Sequence, residues 1–162
     1  MNFVFIILAG LLEIAAASGI TPHSGDSQQV FLLPFVRQGQ RRDTLVLTAG
    51  SSFQTPTLNR GTTGCVSLVA GMPFNLGDGA ELTVQLVDGQ RQQPVAHLLL
   101  DPAHVRAQRA WVPIRFDIPP GVDNFNLRFE VGPGVRGDST GDWIGLAGGS
   151  EAGCLFSERN RP

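Results

Sequence analysis

Between Asn124 and Val131 the chain alternates without a break: Phe125, Leu127, Phe129 and Val131 are apolar, while Asn124, Asn126, Arg128 and Glu130 are polar. A period of two is that of an extended strand with one dry and one wet face, because successive side chains leave a pleated backbone on opposite sides. The same pattern recurs over Glu81 to Val87, where Leu82, Val84 and Leu86 oppose Glu81, Thr83 and Gln85. It recurs again over Trp111 to Ile118, where Val112, Ile114, Phe116 and Ile118 oppose Arg115 and Asp117. One-sided burial is characteristic of antiparallel sheets, whereas parallel sheets covered by helices show continuous apolar runs. The expected fold is therefore all-β: a two-layer antiparallel β-sandwich over 30–158.

Further strands are predicted at Val30 to Val36, Thr44 to Thr48, Cys65 to Ala70, Val95 to Leu100, Trp143 to Ala147 and Cys154 to Phe156, giving eight or nine in all. Turn signals separate them, among them Asp88-Gly89, Pro119-Pro120-Gly121 and Gly132-Pro133-Gly134. One or two helical turns are expected at Asp101 to Arg109, with Asp101 as cap and Pro102 in the first turn.

The first residues break the pattern. From Phe3 to Ala17 the chain is apolar except for Glu13, and small residues follow at Ser18 and Gly19. This run is shorter than a spanning helix requires and ends like a signal-peptidase site, so 1–18 reads as a hydrophobic leader helix, either a signal peptide or a retained N-terminal anchor. The polar stretch 19–29 reads as a flexible linker. The expected location is secreted, periplasmic or on the cell surface, and membrane contact is expected only through an uncleaved leader. About 140 residues remain after the leader, enough for one domain with its own core.

Composition narrows the partners. Lys and Tyr are absent, the formal charge is −2, and the Arg residues are dispersed apart from Arg37, Arg41 and Arg42. No basic stripe can neutralise many phosphates, so nucleic acid is excluded as a partner. The two cysteines, Cys65 and Cys154, form a disulfide in an oxidising compartment or lie apart as buried thiols. CxxC spacing is absent, and with it the sequence signal for zinc or thioredoxin chemistry.

The strand ELTVQLVD ends in a DG turn, VAHLLLD runs into DPAHV, Trp111 opens a strand ending at Phe116 and Asp117, and NFNLRFEV follows. In this order of features, from about Gly64 to Ala147, the chain resembles the carbohydrate-binding-module-like jelly-roll domains of bacterial surface and secreted proteins. The resemblance implies a two-sheet jelly roll, often with a structural calcium, that holds a glycan or cell-surface polymer through aromatic and polar groups.

Candidate chemistry is sparse. Trp111 has the parity opposite to Val112, Ile114 and Phe116, so its indole faces outward as a sugar-stacking platform or seals the rim of the sandwich. Trp143 admits the same two readings, and Arg115 shares the wet face of its strand as a polar ligand contact. In GDSTGDW, Asp138 and Asp142 are candidate oxygen ligands for calcium or the carboxylates of a glycine-rich turn. His97, Asp101 and His104 are close in sequence, but a strand and a turn separate them, so a metal or acid–base cluster is not expected. No GxSxG, HExxH, Walker or dinucleotide glycine pattern occurs. Paired carboxylates for glycoside hydrolysis would come from Asp117, Glu130, Asp138 and Asp142. The reading is thus a non-catalytic, exported binding domain for a glycan or envelope polymer. The alternatives are a protein that assembles with an envelope protein and, behind it, a small glycan hydrolase.

Overall fold

The structure, a computed structural model, describes residues 30–157. The leader at 1–18 and the linker at 19–29 lie outside the described residues. Ten strands form two antiparallel sheets: β1 Val30–Arg37, β2 Gln40–Thr48, β3 Ser52–Gln54, β4 Leu58–Asn59, β5 Cys65–Gly71, β6 Ala80–Asp88, β7 Arg91–Leu100, β8 Val112–Asp117, β9 Asn124–Pro133 and β10 Trp143–Gly148. The first sheet has the order β1-β2-β10-β5-β8, and the second the order β3-β9-β6-β7 with β4 also beside β9. Apart from the β1–β2 and β6–β7 hairpins and the step from β3 to β4, every connection crosses from one sheet to the other.

Crossing connections oblige each sheet to hide the same-parity residues of all its strands against the other. Leu45 and Leu47, Val66, Leu68 and Ala70, Ile114 and Phe116, and Ile144 and Leu146 come from the first sheet; Leu82, Val84 and Leu86, and Phe125, Leu127, Phe129 and Val131 come from the second. Phe53 of β3 stacks on Phe129, with ring centroids 6.5 Å apart. The alternation read from Glu81, Asn124 and Val112 onward is thus the division between core and solvent.

Three details differ from the sequence reading. β3 and β4 escaped prediction because they are two pieces of one short strand interrupted at Thr55. Thr55 donates its N–H to the Leu127 carbonyl (2.9 Å) and accepts the Leu127 N–H on Oγ1 (2.9 Å), and Pro56 has no N–H to continue the ladder. Cys154 to Phe156 does not form a strand: Leu155 makes only an isolated parallel bridge to Val66, and the segment is tied down instead by the Cys65–Cys154 disulfide. Helical structure at Asp101 to Arg109 is confined to a 3-10 helix at Arg106–Arg109, preceded by a turn in which the Asp101 carboxylate accepts the His104 N–H.

The disulfide closes a loop of sequence separation 89 and anchors the C-terminal segment to β5. Replacing Cys65 and Cys154 together by Ala is expected to lower unfolding free energy by up to about 4.6 kcal/mol, the chain-entropy value for a loop of this length. Urea unfolding of the variant against the oxidised wild type measures it.

Candidate binding face

The outer face of the first sheet departs from the wet-face expectation. Val46, Ala147 and Val69 point away from the core by parity, yet are 0%, 1% and 6% exposed. What covers them is the chain's own β1–β2 hairpin. β2 pairs with β10 only over Leu45–Thr48, so the first half of β2 leaves the sheet, and β1 remains paired to it through Arg37. The tight turn is made by Gln38 and Gly39, both with positive φ (48° and 79°), as a two-residue hairpin loop requires.

The released half curls over the sheet. Phe35 lies on Gly145, where an added Cβ would come within 2.6 Å of its ring. At Gly71 an added Cβ would meet the Trp111 ring at 3.0 Å and Arg37 Cγ at 3.4 Å. Gly145 and Gly71 are register partners on adjacent strands. Two missing side chains in one row thus form the bed on which a phenyl ring, an indole and an arginine stem rest. Trp111 then donates its Nε1–H to the Gln40 carbonyl (3.1 Å), and the Arg42 guanidinium carbon stands 5.8 Å from its ring centroid.

Arg37 is the least exposed charged side chain at this face, at 4%. One Nη2 donates to Asn75 Oδ1 (2.6 Å) and to the Gln108 carbonyl (3.4 Å), while Nε is buried without an acceptor. Burial, and secondarily the like charge of Arg109, lower its pKa from the usual arginine value. Arg42 donates to the Gly148 carbonyl (3.0 Å), tying the hairpin to the end of β10.

Trp143 stands at the rim of the same face, two strands from Trp111. It packs edge-on against Phe31 (5.4 Å) and tilted against Phe74 (6.2 Å), and Phe74 is 49% exposed. Its Nε1–H has no hydrogen-bond partner among the described residues and is not sealed from solvent. Both indoles therefore lie on one outer face, at the end where the β2–β3, β5–β6, β7–β8 and β9–β10 loops gather. Phe31, Phe35, Phe74, Arg37 and Arg42 join them. Sequence reasoning passed over these because curling of the hairpin leaves no mark on residue parity.

The other predicted residues are placed apart from this group. Arg115 occupies the same face further along β8, where it is paired with Asp117 (3.0 Å) and Glu151 (2.8 Å); hydrogen bonding to Glu151, together with both negative charges, raises its pKa. Asp142 is buried, accepts the Gly134 N–H on Oδ2 (3.2 Å), and gives its carbonyl to the Ala49 N–H (2.9 Å). Asp138 is exposed and accepts the Thr140 N–H (2.9 Å), a bond that lowers its pKa. Among the described residues no group of three His, Cys, Asp or Glu is arranged to hold a metal ion. Asp117 and Glu130, each paired with an Arg, lie on opposite outer faces of the sandwich. His97 pairs with Glu81 on the second sheet and His104 with Asp101, so these histidines do not converge.

No family model matches the chain, and no curated protein matches it. Among solved structures it is similar to the C-terminal family 22 carbohydrate binding module of Clostridium thermocellum Xyn10B, with TM-score 0.48 and 16% identity, covering 74% of this chain and 78% of that one. It is also similar to the C-terminal CBM6 of the laminarinase LamC from Zobellia galactanivorans, with TM-score 0.38 and 18% identity, covering 76% of this chain and 92% of that one. A third similar structure is the M60 catalytic domain with its CBM51 domains from Clostridium perfringens ZmpB, with TM-score 0.44 and 10% identity, covering 78% of this chain and 14% of that one.

Burial raises the Asp142 pKa above the ordinary carboxylate value of 3.8, with Asp78 and Asp138 adding to the rise and the Gly134 N–H opposing it. A carboxyl whose folded pKa is raised favours the folded state in its protonated form. Its contribution is therefore lost as pH climbs from 3.8 through the folded value. Asp142→Asn keeps an acceptor for Gly134 and abolishes the charge. Melting curves across that window are expected to show the variant gaining on the wild type as pH increases.

Proposed function

We propose that this chain is a non-catalytic glycan-binding domain that works outside the cytoplasm. The observation that carries the reading is the indole of Trp143 at the rim of an aromatic face, with a free Nε1–H and the half-exposed ring of Phe74 beside it. Pyranose rings have an apolar C–H face that packs on a π surface and hydroxyls that accept from an indole N–H, and this pair offers both. Trp111, two strands away on the same face, extends the platform beneath the hairpin. Location outside the cytoplasm is supported by the Cys65–Cys154 disulfide, because structural disulfides persist in oxidising compartments. A non-catalytic role is supported by Asp117 and Glu130, whose pairing with arginines on opposite faces leaves them unable to flank one glycosidic bond.

A second reading, assembly with an envelope protein, is favoured by β1. Among the described residues it is an edge strand of its sheet, and Leu32, Leu33 and Val36 are 44%, 40% and 59% exposed along it. An uncovered edge with apolar side chains is a template for pairing with another chain.

Affinity electrophoresis against soluble polysaccharides separates the two. Trp143→Ala is expected to weaken retention at least about tenfold, as truncation of a stacked Trp commonly does, with the cooperative melt preserved. Full retention by both Trp143→Ala and Phe74→Ala would sink the platform. Self-association of the wild type that Val36→Lys abolishes would instead put the edge-strand reading first.

A further inference from the structure

Arg37 is a buried cation without a counter-ion among the described residues, and it is not alone. The hairpin brings Arg37 against the 3-10 helix that bears Arg106 and Arg109, through the Arg37–Gln108 hydrogen bond, while Arg41 lies opposite exposed Val36 on the outer side of the hairpin. None of these four arginines makes an ion pair among the described residues. Arg109 is occupied with the carbonyls of Pro102 (2.9 Å) and Ala103 (3.3 Å), and Asp101, the carboxylate nearest in sequence to the helix, is bonded to His104. Elsewhere in the molecule Arg115 and Arg128 both have carboxylate partners.

A guanidinium removed from water without a counter-charge is costly; the Asn75 and Gln108 oxygens offset part of that cost, and an anion with matching acceptors would offset more. Arg37 has the means to receive one. Its stem lies beside the Trp111 ring over Gly71. Nε lacks an acceptor, and Nη1 makes no bond and is not among the buried orphan atoms. A planar fork of N–H donors is the geometry that carboxylate and sulfate oxygens fit. An indole at its side fits the ring that carries them.

Building on the glycan-binding reading, we infer that the ligand is an acidic sugar chain, whose ring-borne oxyanion pairs with Arg37 while the sugar packs against Trp111 beneath the hairpin. Arg41, Arg106 and Arg109 supply the field that draws the polymer in. On this inference the half of the hairpin that is unpaired with β10 moves aside to admit it.

The test uses the full chain in affinity electrophoresis with three sets of polymers: polygalacturonate and alginate for carboxylates, carrageenan for sulfate, and xylan and mixed-linkage β-glucan as neutral controls. Retention on at least one acidic polymer is expected, decreasing as NaCl is raised, and weakening about tenfold in Arg37→Met, as loss of a charged hydrogen bond does. The same variant is expected to melt no lower than the wild type, because it removes an unpaired buried charge; a purely structural arginine would give the opposite. Retention on carboxylate or sulfate polymers alone identifies which oxyanion is read. Equal retention of wild type and Arg37→Met on neutral polymers overturns the acidic ligand and leaves the glycan reading standing, whereas no retention on any polymer removes both. Should Arg37→Met fail to fold, the exposed pair Arg41→Gln with Arg109→Gln carries the test, and unchanged retention on the acidic polymers overturns the inference.

Discussion

Exclusion of water from the space between two sheets is the constraint from which the rest of this molecule follows. Every strand must turn its apolar parity inward, and the connections that cross between sheets make each sheet answer to the other. Phe125, Leu127 and Phe129 face Leu68, Leu146 and Ile114 across that space. Once the inner faces are committed, the outer faces are determined as well. Trp111, Trp143, Thr44 and Val46 have no choice but to stand on the outside of the first sheet.

That outer face then met a second constraint of its own. Val46, Val69 and Ala147 left on the outside are an apolar strip, and the distal half of the β1–β2 hairpin covers it. The cover fits because Gly71 and Gly145 leave room in one row, where any side chain would strike Trp111 or Phe35. The packing is therefore shape-specific. It carries Arg37 inward with the hairpin, at the expense of desolvating a charge, and sets it beside the indole. An apolar contact and an unpaired cation are two results of the same fold-back.

The two outer faces contrast in chemistry. On the second sheet, Glu81 with His97 and Arg128 with Glu130 are exposed pairs, the kind of surface that contributes little beyond solubility. On the first, aromatic rings gather around Arg37, which makes no ion pair among the described residues, while Arg115 further along the face is paired with Asp117 and Glu151.

Strand parity was legible from the residues alone, since alternation with period two reports burial wherever a strand hides one side. Phe125 to Val131 and Leu82 to Leu86 were accordingly placed without any knowledge of their neighbours. The disulfide was left open in the sequence because two cysteines so far apart say nothing of distance; the pairing of β5 with the C-terminal bridge brought them together. The face itself belongs to tertiary structure. Arg37 is separated from Gln108 by 71 positions and from Asn75 by 38, and nothing in the alternation of β1 distinguishes a hairpin that lies flat from one that curls over its own sheet. Periodicity records which side of a strand is dry, whereas the meeting of a guanidinium, an indole and a glycine bed depends on where whole strands bend, and that is decided only when the two sheets close on each other.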